Sequence, residues 1–263
     1  MTDSPVVTVE RDGHVLLIGI NRPDKRNAFN LAVIDEFAAA YEELAADPQL
    51  RVGVVFAHGD HFSAGLDLAE VGPAVAAGGP EALGGGRGYD PFGMWGPQVP
   101  KPVVVAMQGI SYTLSIELAL ASDIVIAADD VRFRQLEIAR GIMPFGGATI
   151  RAQRQLGWGN AMRFLLTGEE FGADQAHRIG LVQEVVPVGS QVSRATEIAQ
   201  TIAAQAPLAV QATLANARLA VTQGDDAAKA HLVETLKTIM VSKDAQEGVM
   251  SFLERRDAKF VGE

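Results

Sequence analysis

The sequence contains no cysteine, so disulfides, thiolate metal sites and cysteine nucleophiles are excluded across its 263 residues. That fits a reducing compartment without requiring one. Basic charge is scarce: 22 Lys+Arg against 32 Asp+Glu leave a formal charge of −10, which argues against a nucleic-acid partner. Uninterrupted apolar runs of membrane-spanning length are missing too. The nearest approach, residues 102–122, is broken by Gln108, Gly109, Ser111, Thr113, Ser115 and Glu117 and reads as buried core. The amino terminus carries acids early and has no basic segment leading into an apolar one. No secretory signal and no membrane partner are therefore expected, and the expected location is the cytoplasm. What remains is a chain with 48% hydrophobic and 21% charged residues, enough for a sizeable core in one large domain or a domain with an appendage.

Residues 6–9 and 15–20, separated by Arg11-Asp12-Gly13, read as a β-hairpin. From 31 to 46, Val33, Ile34, Phe37, Tyr41 and Leu44 recur every three or four positions and predict an amphipathic helix, followed by a buried strand at 52–57. Between 72 and 100 Gly and Pro are frequent and periodicity is weak, which predicts a loop. A strand at 103–107, a helix around 114–121 and a strand at 124–127 follow. Beyond Pro187 the pattern is helical, at 191–205, 208–222, 226–241 and 246–256. These signals predict an α/β core over 1–195 and a helical C-terminal region over 196–263, too short for an independent domain and suited to packing on the core or on another subunit.

Glu117 is the one charged side chain between Pro102 and Ser122. Burying an unpaired carboxylate costs several kcal/mol unless it is neutralised, hydrogen-bonded or solvated in a cleft. A capping box would need Ser or Thr three residues earlier, and position 114 is Leu. A catalytic acid and a buried structural acid both remain open. Glu137 lies among Arg132, Arg134 and Arg140, and taken alone it reads as an ion-pair partner.

The strand-to-helix turn in His61-Phe62-Ser63-Ala64-Gly65-Leu66-Asp67-Leu68 offers backbone amides without intrahelical acceptors, and Thr113-Leu114-Ser115 offers the same. Two such turns can form a two-donor oxyanion hole, and either can equally be an ordinary turn. His58 and His61 read as solvated loop histidines rather than a metal site. Glycines 84–88 lack a following Lys-Ser/Thr and make no P-loop, and Gly109-Ile110-Ser111-Tyr112-Thr113 lacks the second Gly of a nucleophile elbow.

In order and spacing, several blocks resemble the crotonase, or enoyl-CoA hydratase/isomerase, family. They begin with Asn21-Arg22-Pro23-Asp24-Lys25-Arg26-Asn27-Ala28, Phe62-Ser63-Ala64-Gly65-Leu66-Asp67, and Lys101-Pro102-Val103 with Gly109. Glu117-Leu118-Ala119, Asp123, Glu137, Gly141, Pro144, Gly146-Gly147, Leu166-Thr167-Gly168 and Gly180-Leu181-Val182 continue it, and Glu247-Gly248 with residues 252–256 close it. The resemblance covers nearly the whole chain.

It implies a spiral of ββα units with a C-terminal helical trimerisation region, assembled as a homotrimer or dimer of trimers. It also implies an acyl-CoA thioester substrate, with no cofactor beyond the CoA that the substrate carries and no metal. The thioester carbonyl would be polarised by the amides of Leu66 and Leu114. Glu117 and Glu137 would hold and activate the water that adds to C3 of a 2-enoyl-CoA while a proton reaches C2. Lys25, Arg26, Ala28, Ser63, Ala64 and Asp67 would lie along CoA, where Lys25 and Arg26 offset phosphate charge. Phe252 and Lys259 would reach its nucleotide end, from a neighbouring subunit if not their own, with helix packing or a solvated charge as the alternative. Thr113-Leu114-Ser115 departs from the family's glycine triplet, so side chains fill space that glycine leaves empty. Tyr112 and residues 92–95 are candidates for lining the acyl pocket or for core packing. Hydration is the leading activity, with double-bond isomerisation and non-catalytic acyl-CoA binding as alternatives.

Overall fold

The computed structural model describes residues 5–79 and 88–263. Most of glycines 84–88 therefore lie outside the described residues. A six-stranded sheet runs in the order β1 (Val7–Asp12), β2 (Val15–Ile20), β3 (Val52–Ala57), β4 (Val103–Met107), β6 (Ile124–Ala128), β9 (Glu184–Val186). β1 and β2 form the antiparallel hairpin, with Asp12 opposite Val15, and the other neighbouring pairs are parallel. Parallel strands buried on both faces need nearly continuous apolar sequence, and Val-Gly-Val-Val-Phe-Ala and Val-Val-Val-Ala-Met supply it.

Side chains alternate between two cores, as the strand pleat requires. Leu16, Ile18, Val55 and Val105 face the larger core, shared with Val33, Phe37, Tyr41 and Leu44 of α1 (Leu31–Ala46). Val15, Val54, Val104 and Ile126 face the opposite way, onto Ala195, Ala199 and Ala203 of α7 (Gln191–Ala203). Three alanines four residues apart give α7 a flat stripe that lets it lie close on the sheet. Residue 195, where the core is expected to give way to the helical region, lies within α7, and α8 (Pro207–Gln223) follows. α8 pairs with α9 (Asp225–Met240), and α10 (Lys243–Glu254) packs on α9.

The expected loop at 72–100 needs correction, because α2 (Leu68–Gly78) occupies its first part despite Pro73. A second sheet escapes sequence reading altogether. It consists of β5 (Ile110–Tyr112), β7 (Arg132–Arg134) and β8 (Phe171–Gly172), strands of three, three and two residues. β5 feeds directly into α3 (Leu114–Ala121), and β7 leads to a single 3-10 turn at Glu137–Arg140. α4 (Ala148–Gln155), α5 (Trp158–Thr167) and α6 (Ala173–Arg178) complete the core. Among the described residues, no helix is long and apolar enough to cross a membrane.

Candidate active site

Two backbone turns are stitched side by side. Ser63 bridges to Ser111 of β5, and the Ser115 hydroxyl donates to the Ser63 carbonyl at 3.1 Å. Gly65, at φ 96, lies so close to Thr113 that a Cβ there would sit 1.9 Å from the threonine Oγ1. Only glycine fits that backbone and that gap. Phe29 takes both bonds of its bridge from the flanking residues: its N–H donates to Gly65 O and its carbonyl accepts from Asp67 N. This leaves the Leu66 N–H directed away from Phe29. Leu114 is the first residue of α3, where no intrahelical acceptor exists. Neither amide has a protein acceptor among the described residues.

Both turns border one cavity of about 210 Å³. Ala64, Leu66, Thr113 and Leu114 form one wall, Glu117 and Glu137 supply the acids, and Leu68, Leu136, Ile142 and Phe145 give it an apolar lining. Arg140 stands on the same rim. The four residues expected to be catalytic are therefore brought together with Ala64.

Glu117 is 2% exposed. Its Oε1 accepts the backbone N–H groups of Gly146 at 2.8 Å and Ala148 at 3.1 Å. Burial pushes its carboxyl up to about 7, opposed by those two amides and reinforced by the negative field of Glu137. Glu137 is buried too, which raises its carboxyl above the usual range. Its Oε1 accepts from the Gln135 side chain at 2.9 Å, while its buried Oε2 has no partner. The ion pair expected from its neighbours does not form. Arg132 turns to Glu170, and Arg134 donates to the Gly168 carbonyl.

The remaining predicted positions scatter. Lys25 and Arg26 are exposed on the turn after β2, where Arg26 lines a separate polar cleft with Asp24, Asp60 and His61. Ala28 is half-buried and its carbonyl accepts from Arg22, while Ser63 is fully buried with its hydroxyl accepting the Gly65 amide. Asp67 pairs with Arg22 at 3.3 Å. Phe252 is 81% exposed on α10 and Lys259 is exposed after it, and neither lines the cavity within this chain. His58 hydrogen-bonds to Thr8, and His61 Nδ1 accepts the Ile110 amide. Phe92 is core, edge-on to Phe29. Tyr112 hydrogen-bonds to Glu170.

Sequence reading missed the amides of Gly146 and Ala148 as site groups, although the paired glycines before a helix start marked the place. It also gave no role to Ser115, whose hydroxyl holds the two turns together.

The enoyl-CoA hydratase/isomerase family model matches residues 10–263. The chain belongs to that family. Its fold and sequence follow a probable enoyl-CoA hydratase/isomerase from Mycobacterium abscessus with a TM-score of 0.93 and 53% identity, over 98% of this chain and 99% of that one. An enoyl-CoA hydratase from Mycobacterium tuberculosis is 31% identical over 260 residues, 97% of this chain and 96% of the relative. The 2,3-dehydroadipyl-CoA hydratase of Escherichia coli is 32% identical over 256 residues, 97% and 98% respectively. The chain is accordingly an enzyme of the hydratase/isomerase type, with the α/β crotonase fold and helices at its C-terminal end.

Proposed function

We propose that this family member adds water across the C2=C3 bond of a 2-enoyl-CoA. The observation that carries the reading is the meeting of two buried carboxyls and two acceptor-free amides around one cavity. The thioester oxygen accepts from the Leu66 and Leu114 amides, which stabilise the negative charge that develops there as the enolate forms. Water lies between Glu117 and Glu137. An ionised carboxylate takes its proton as oxygen bonds to C3, and a carboxyl proton passes to C2. The pair ends with the proton count it began with. Burial raises both carboxyls and repulsion between them disfavours the doubly ionised pair, so one can hold a proton while the other accepts one.

CoA would run past Ala64 toward Ala28, Lys25 and Arg26, with Ser63 and Asp67 shaping the turn beneath it. The reaction uses no cofactor beyond the CoA of the substrate. Leu232, Leu236, Met240, Val249 and Phe252 expose a broad apolar surface on α9 and α10. Covering it in a homotrimer, or a dimer of trimers, would also bring Phe252 and Lys259 toward a neighbour's CoA. A cytoplasmic location suits such a substrate.

The test is turnover of 2-enoyl-CoA thioesters with product analysis. A 3-hydroxyacyl-CoA supports hydration. A migrated double bond indicates isomerisation instead, and binding without either product indicates a non-catalytic role.

A further inference from the structure

Arg151 belongs to α4, one turn after Gly147, and its half-buried side chain lies against the turn that holds Glu117. A Cβ at Gly147 would lie 2.2 Å from Arg151 Nη1 and 3.1 Å from Met94 Sδ, so guanidinium and thioether fill the space a side chain at 147 would need. Gly147 stands between Gly146 and Ala148, the two residues whose amides donate to Glu117 Oε1. The other end of the clamp is the segment around Asp90. Arg151 Nη2 donates to the Gly93 carbonyl at 3.0 Å. The Asp90 carboxylate accepts the amides of Phe92 at 2.8 Å, Met94 at 2.7 Å and Trp95 at 2.8 Å, which holds the backbone of that segment in place. Arg151 Nη1 is buried with no hydrogen-bond acceptor. A cation spends that donor only where its charge is matched by something nearby.

We propose that Arg151 is a positioning residue for Glu117: it locks the Gly146–Ala148 turn, whose amides hold Glu117, against the Asp90 segment and places its positive charge beside that turn. This rests on Glu117 as one of the two working acids. Among the described residues, Glu117 meets Glu137 from the 3-10 turn and Arg151 from α4, and Arg140 of the 3-10 turn stands on the rim of the same cavity. Arg151 meets Asp90 and Glu117 as anions, and Arg218 and Arg154 as cations. Burial and Glu137 hold the proton on Glu117, opposed by the Ala148 and Gly146 amides and, as a charge, by Arg151.

The test titrates Glu117 itself, by ¹³C NMR of its side-chain carboxyl in the unliganded protein, so it is read whether or not the protein hydrates enoyl-CoA. Arg151→Gln removes the charge, and the Glu117 midpoint is expected to rise by about 0.5 pH unit or more. Arg151→Lys keeps the charge and is expected to hold the midpoint near that of the unaltered protein. An unchanged or lowered midpoint in the Gln variant overturns the proposal. Should that variant not fold, the guanidinium ¹⁵N resonances of Arg151 in the unaltered protein decide instead. They are expected to titrate with Glu117 and to lose that response in Glu117→Gln. Resonances that ignore the Glu117 titration overturn it equally.

Discussion

Gly146 serves Glu117 through what it has and through what it lacks. Its N–H donates to Glu117 Oε1 at 2.8 Å, while a Cβ at the same residue would meet Glu117 Oε2 at 2.5 Å and Leu114 Cδ1 at 2.8 Å. The neighbours a methyl group would strike are thus one acid of the cavity and the residue that contributes an acceptor-free amide.

Gly146→Ala is therefore expected to displace Glu117, Leu114 or both. Overpacking of a closed site costs roughly 1–3 kcal/mol, which urea denaturation will register. A loss of turnover of at least about 10²-fold is expected with it, because displacements of about an ångström at a reacting centre cost that much.

The Glu117 carboxyl, raised from 4.5 to about 7 in the folded chain, makes stability depend on pH with a definite sign. Between those values the folded protein keeps a proton that the unfolded chain has released. The contribution is fully present below pH 4.5 and is lost as pH rises through 7, by roughly 3 kcal/mol in all. Glu117→Gln has no such titration. It is expected to match the unaltered protein near pH 4 and to exceed it in stability at pH 9 by about that amount, as followed by denaturant midpoints across pH.

Much of this arrangement was legible in the chain, and the failures have physical causes. α1 is read at its observed bounds, Leu31–Ala46, because five apolar positions repeat with helical period over four turns. β5, β7 and β8 are too short to carry a period at all. α2 is hidden by its small residues and by Pro73, which inside a helix removes a backbone donor and crowds the carbonyl four residues earlier, yet the helix runs through it. Glu117 announces itself as a lone acid in an apolar run, whereas the groups that hold it are main-chain amides with no side-chain signature. Glu137 misleads in the opposite way: Arg132 and Arg134 turn to Glu170 and Gly168, Arg140 stands on the cavity rim without pairing to it, and the glutamate turns inward.

Thr113 precedes α3 at φ 51 and ψ −109, a conformation that a β-branched residue adopts only under strain. Relief of that strain exceeds the entropy glycine restores to the unfolded chain, so Thr113→Gly is expected to raise stability by about 1 kcal/mol. Thermal denaturation at fixed pH checks the gain.

The helical C-terminal region is moored to the core by Arg218 of α8. Its Nη1 donates to the Val99 carbonyl at 2.6 Å and its Nη2 to Asp123 at 3.1 Å, while Asp123 also accepts the Val103 amide. Burial raises the Asp123 carboxyl in spite of that cation. Arg218→Met removes the partner of a largely buried carboxylate, and a loss of about 3 kcal/mol is expected. Hydrogen exchange should then show α8 opening before the sheet does.

The hydration assay tests the central claim most directly. Purified protein is mixed with a 2-enoyl-CoA, and the loss of the conjugated double bond is followed alongside Glu117→Gln and Glu137→Gln. If the paired acids carry the chemistry, the unaltered protein forms 3-hydroxyacyl-CoA and each variant falls by about 10²-fold or more with its fold intact. An unaltered protein that leaves the double bond in place, or variants that hydrate at the original rate, would contradict the account.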